Sequence, residues 1–81
     1  MVAPYNVRAV WDADCHVWCA SSPDIPGLVA EAETLDDLIT EVLELVPQLL
    51  SLNHAGPDTG EFRSVPVHVT AERDERVVLH A

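Results

Sequence analysis

Residues 23–27, Pro23-Asp24-Ile25-Pro26-Gly27, place two prolines and a glycine within five positions, between an apolar run and a helix start. Each proline fixes its own φ and holds the residue before it in extended geometry. Gly27 supplies backbone freedom where the chain must turn back. The segment is therefore a stiff, shaped connector rather than a tether. The elements on either side of it must meet at one fixed angle.

Those elements follow from periodicity. From Tyr5 to Asp12, Tyr5, Val7, Ala9 and Trp11 share one face and Asn6, Arg8 and Asp12 the other, with Val10 the exception. This is a half-buried strand over 5–12. Asp12 to Cys15 reads as a turn, because aspartate bonds its own backbone. A second strand over 16–22 completes a hairpin. It is apolar on both faces, Val17 and Cys19 on one and Trp18 and Ala20 on the other. After the connector a third strand covers 28–33. Leu28, Ala30 and Ala32 face one way and Glu31 and Glu33 the other, and the small alanines leave room for a helix.

That helix is expected over 35–52. Thr34 is a good N-cap and Asp37 completes a capping-box-like pair, while Asp36 and Asp37 suit the positive end of the helix dipole. Leu35, Leu38, Ile39, Val42, Leu43, Val46, Leu49 and Leu50 recur three and four apart, which is amphipathic spacing. Pro47 removes a backbone bond and clashes with the preceding turn, so a kink or a break is expected near Val46. A helix end near Asn53 is expected. Alternation resumes over 64–72, where Pro66 argues for an edge or a strand start. Residues 72–76, Glu-Arg-Asp-Glu-Arg, read as a turn before a further short strand at 76–80. The fold class is α+β: one domain over 1–81, with a three-stranded antiparallel start, one helix laid on a mostly antiparallel sheet, and one or two further strands.

Composition bounds the chemistry. Four basic residues stand against fourteen acidic ones, a net charge of -10. Nucleic-acid binding rests on lysine and arginine neutralising phosphates, so direct binding to DNA or RNA is not expected. An acidic surface instead suits a basic partner. The run from Leu35 to Leu52 carries four acids and cannot cross a membrane. No basic region precedes an apolar run at the start, so a cytoplasmic location is expected. Cys15, His16 and Cys19 lack a second ligand pair at motif spacing, which argues against zinc. No cofactor is expected. The acids in the turn and at the helix start have structural explanations, and no serine carries nucleophile-elbow glycines, so no enzymatic activity is expected. If the helix covers one sheet face, Trp18 and Ala20 need another cover, and a homodimer is the simplest.

Taken together, the aromatic-bearing second strand at Trp18, the Pro23-Asp24-Ile25-Pro26-Gly27 connector, the strand over 28–33 and the Thr34-Leu35-Asp36-Asp37 helix start resemble the HicB-like antitoxin superfamily. The resemblance covers residues 5–53. The Val46–Asn53 run is similar to a short, largely uncharacterised branch of it. The resemblance implies a partial ribonuclease H-like fold without the nuclease carboxylates. It also implies a non-enzymatic protein that blocks a small basic mRNA-cutting HicA-like toxin by binding over it. The chain departs from typical members after Asn53, where the residues read as strands, so a DNA-binding region is not expected there. The other reading is a stand-alone regulatory module that binds a protein or small ligand without a toxin. The residues expected to meet a partner are Trp18, on the face expected to be uncovered, and the exposed acids Asp24, Glu31 and Glu33.

Overall fold

The computed structural model describes residues 3–52 and 64–80. Strands β1 (Tyr5–Asp12), β2 (Val17–Ser21) and β3 (Val29–Ala32) precede helix α1 (Leu35–Leu52), and β4 (Val67–Glu72) follows it. They form one four-stranded sheet in the order β3-β2-β1-β4. β1 pairs antiparallel with β2, and β2 antiparallel with β3. β4 runs parallel to β1, from Tyr5 opposite Val67 to Val10 opposite Glu72. The fold is the expected α+β arrangement, with a mixed sheet.

Alternation decides which face is buried. Val7 and Ala9 of β1, Ala20 of β2 and Ala30 of β3 are buried, and Tyr5, Trp18, Ala32, Val67 and Val69 pack against them. Ala9, Ala20 and Ala30 stand opposite one another across three strands. This row of methyl groups lets the helix approach, and Leu38, Val42, Val46 and Leu50 fill the space above it. Those four recur every fourth residue and form one stripe along the helix. Burying each side chain of this kind stabilises by about 1.5–3 kcal/mol. Leu43, on the other side, is 52% exposed.

The helix starts as the sequence dictates. The backbone N–H of Asp37 donates to Oγ1 of Thr34 at 3.1 Å, and that of Leu38 donates to the Thr34 carbonyl at 3.0 Å. Pro47 does not break it, because α1 runs through Pro47 as one element. The carbonyl freed by the proline belongs to Leu43, on the exposed side where water reaches it. Val46 and Leu50, on either side of the proline, are held in the core. The expected helix end at Asn53 lies outside the described residues.

Three further expectations need correction. His16 belongs to the hairpin turn, with φ of 57°, and β2 starts at Val17. β4 begins at Val67, just after Pro66, whose carbonyl accepts the N–H of Tyr5 at 2.9 Å. Residues 72–76 do not form a turn, and 76–80 is not a fifth strand. After Glu72 the chain runs on to His80 with neither turn nor ladder partner among the described residues. An apolar triplet alone does not make a strand, since a strand needs a neighbour to bond.

Candidate binding surface

The connector positions everything downstream of β2, and it is stitched to β1. Ser22 Oγ donates to the Asn6 carbonyl at 2.6 Å and accepts the backbone N–H groups of Asp24 at 3.0 Å and Ile25 at 3.1 Å. Asp24 Oδ2 accepts the Asn6 backbone N–H at 2.7 Å and its side-chain Nδ2 at 3.1 Å. Between these bonds the chain drives Ile25 into the core, where it is 0% exposed. Gly27 then turns the chain at φ of 86°. The Leu28 N–H donates to the Ile25 carbonyl at 3.2 Å.

At the other end of β1 lies an aromatic corner. Trp11 and Trp18 face each other across the hairpin, ring centroids 5.5 Å apart and inclined at 62°. His16 meets Trp11 edge-on at 6.2 Å. The Arg73 guanidinium lies 4.3 Å above the Trp11 ring, a cation–π contact, and its Nε donates to Glu75 Oε1 at 2.6 Å. Turn residues are held by Asp12 Oδ1, which accepts the N–H groups of Asp14 at 3.0 Å and Cys15 at 3.3 Å.

Trp18 therefore lies on the helix side of the sheet, packed on the core with Ala20, and not on an uncovered face. The expectation of a second subunit over Trp18 loses its premise. The open face belongs to the other set of residues. One cross-strand row runs Glu72, Val10, Cys19, Glu31, and the next runs Thr70, Arg8, Ser21, Val29. Val29 is 74% exposed there.

The four expected contact residues do not form one patch. Glu31 is exposed on the open face opposite Cys19. Glu33 is exposed in the bend before the helix. Asp24 is exposed but clasped by Asn6, about 17 Å along β1 from the tryptophan corner. Trp18 is on the opposite side of the sheet from Glu31. Periodicity misses Ile25 and the Ser22 clasp, whose signal is local: a serine two and three residues before amides it can cap.

Electrostatics on the open face are set by one pair. Arg8 Nε meets Glu72 Oε1 at 2.6 Å and its Nη2 meets Oε2 at 2.9 Å, a two-pronged bridge from β1 to β4. Hydrogen bonding from Arg8, opposed by desolvation and aided by the Arg8 charge, holds the Glu72 carboxyl below its ordinary value. A carboxyl depressed by folding contributes stability above its unfolded value and loses it as pH falls through the folded value. In a carboxyl-detected NMR titration, Glu72 is expected to titrate below the ordinary glutamate value. Arg8→Ala is expected to raise its midpoint toward that ordinary value. An unchanged Glu72 midpoint in that variant would remove the bridge from solution.

Cysteine chemistry is muted. Both cysteines are free thiols. The charge of Asp12, then a hydrogen bond to it, pushes the Cys15 thiol up, and burial followed by the charge of Glu31 does the same for Cys19. Protonated thiols are poor nucleophiles and poor ligands. Among the described residues no three histidine, cysteine or acidic side chains gather as a metal site. Among them, too, no helix is long and apolar enough to cross a membrane.

The acids that remain are on the outside. Glu31, Glu33, Asp36, Asp37, Glu41 and Glu44 are exposed and form no ion pair among the described residues. They lie on both sides of the sheet, Glu31 on the open face and Asp36, Asp37, Glu41 and Glu44 on the helix.

Comparison with known proteins gives two findings. Residues 4–81 match the profile of a domain family described as a domain of unknown function, DUF1902. The chain is also similar to a solved structure, hypothetical protein TTHA1013 from the extremely thermophilic bacterium Thermus thermophilus. The two are 34% identical with a TM-score of 0.63, over 95% of this chain and 100% of that one. No curated protein matches the chain.

Proposed function

This chain belongs to the DUF1902 family, and we propose that it is a non-enzymatic binding protein of HicB-like type, an antitoxin that occludes a small basic mRNA-cutting toxin. The observation that carries this reading is the run of exposed carboxylates from Glu31 through Glu33 to Asp36, Asp37, Glu41 and Glu44, with no ion pair among the described residues. They flank a rigid scaffold. Their potential would draw in a cationic surface, and occlusion requires no bond to be made or broken. Glu31 and Glu33 would meet the partner, while Asp24 and Trp18 would act from behind by holding the connector and the hairpin in place.

The test is calorimetric titration with the small basic product of an adjoining reading frame, with mRNA cleavage by that product as a second readout. Binding is expected to suppress cleavage and to weaken as salt rises, because exposed charges are screened beyond about 10 Å at 0.1 M. Glu31→Gln with Glu33→Gln is expected to weaken binding without unfolding the chain. Affinity indifferent to salt would overturn the electrostatic part. An adjoining frame that encodes no basic protein would overturn the antitoxin reading and leave a regulatory module.

A further inference from the structure

The chain beyond β4 carries an uncovered apolar run. Val77, Val78 and Leu79 are 80%, 79% and 87% exposed. Three consecutive apolar residues left in water are a patch without a cover. Beside them, β4 is the outermost strand of the sheet and its far side is unpaired among the described residues. An open edge of this kind offers a row of N–H and carbonyl groups to any strand that reaches it. The radius of gyration is 15.7 Å, against about 12 Å for a compact chain of this length.

The side-chain alternation of β4 continues past its last ladder residue. Glu72 bonds Arg8 on the open face, while Arg73 covers Trp11 on the helix face. Arg73 thus keeps the alternation of β4, with its odd position on the helix side.

We propose that the occupant is a second copy of this chain, and that residues 68–80 of the two copies form an antiparallel two-fold ribbon centred on Asp74. The argument is the charge order Glu72-Arg73-Asp74-Glu75-Arg76. Turned on itself about Asp74, it sets Glu72 opposite Arg76 and Arg73 opposite Glu75, and symmetry doubles both pairs. Only the two Asp74 side chains, at the axis, meet as like charges, between rungs that each pair an arginine with a glutamate. The same register sets Ala71 opposite Val77 and Val69 opposite Leu79. Val77 and Leu79 of each copy then extend the helix-side core of the other as a fifth strand. Glu72 lies between Arg8 of its own chain and the Arg76 of its copy. Neighbouring registers lose this match. Centred on Arg73, the pairing sets Glu72 against Asp74, and centred on Glu75 it sets Glu72 and Arg73 against Val78 and Val77. A two-fold contact closes on itself, so the result is a dimer and not a fibre.

The test uses two single variants of the full chain, Arg73→Glu and Glu75→Arg, in sedimentation equilibrium. Wild type is expected to dimerise. Each variant alone places like charges opposite each other twice, and its dimer is expected to be about tenfold to a thousandfold weaker. Mixed one to one, the two variants regain opposite charges at both contacts. The acid introduced at position 73 of one chain meets the base introduced at position 75 of the other, and the reverse contact is wild type. The dimer is therefore expected to return. Within each variant chain positions 73 and 75 carry like charge, so recovery on mixing reports only contacts between chains. A wild type that stays monomeric, variants that dimerise like wild type, or a mixture that does not recover would each overturn the proposal. None of these outcomes depends on whether a toxin partner exists.

Discussion

Replacing Ile25 with alanine is expected to lower the free energy of unfolding by about 2–5 kcal/mol. A domain of this length holds about 4–12 kcal/mol in all, so the variant would approach the limit of folding. The size of the effect comes from the connector's stiffness. Ile25 is 0% exposed, and the segment on both sides of it is fixed. Ser22 and Asp24 tie it to Asn6 on one side, and Pro26 and the positive-φ Gly27 constrain it on the other. A cavity is least costly where the walls can collapse, and here they are pinned. Urea denaturation should show the midpoint falling at unchanged slope. A loss below about 1 kcal/mol would show that the connector relaxes into the space, and would demote Ile25 from anchor to filler.

The second large effect is expected from enlarging a methyl group. Ala20 is 3% exposed and lies between Ala9 at 0% and Ala30 at 3%, beneath the stripe from Leu38 to Leu50. Ala20→Leu has no free volume to enter, so the helix must lift or a side chain must leave its rotamer. A cost of about 1–3 kcal/mol is expected, and a change in the Trp11–Trp18 contact should be visible in near-ultraviolet circular dichroism. Ala13→Leu, in the exposed hairpin turn, serves as the comparison and should stay within about 0.5 kcal/mol of wild type. Equal stability of the two variants would mean that the alanine row does not set the helix-to-sheet spacing.

Ile25 and Ala20 also mark how far the fold is legible in the sequence. The buried face of β1 is legible because Tyr5, Val7, Ala9 and Trp11 alternate with Asn6, Arg8 and Asp12, Val10 excepted. The helix start is legible because Thr34 and Asp37 stand at capping distance. Trp18 falls on the wrong side in the sequence reading because β2 is apolar on both faces. A period of two then says that faces differ, but not which one the helix takes. The register with Trp11 across the hairpin decides it, and a slip of one residue in that turn would send every β2 side chain to the other face. Ile25 is hidden for a different reason. Between two prolines there is no periodicity to read, and its burial follows from bonds that Ser22 and Asp24 make to a strand sixteen or more positions earlier. Pro47 shows that a local rule can yield to packing, since the residues around it are worth more in the core than one backbone bond outside it. As for the surface, the acids are legible as composition, and their exposure is expected. That Asp24 is clasped while Glu31 and Glu33 are not depends on the turn of the connector.

The parallel ladder between β1 and β4 has a consequence for how the chain comes into being. Every pair in it joins positions 62 apart, from Tyr5 with Val67 to Val10 with Glu72. The hairpin, β3 and the helix bring together neighbours in sequence and can assemble while later residues are still being made. Until residue 67 arrives, β1 is itself an outer strand, with Val7 and Ala9 lacking the cover that Val67 and Val69 supply. Ribosomal synthesis at roughly 5–20 residues per second leaves that edge open for about 3–10 s. Closing so long a loop is the slow, entropy-limited step. The vulnerable species in the life of this protein is thus a nascent three-stranded intermediate, whose hazard is mispairing at β1 before its own last strand is born.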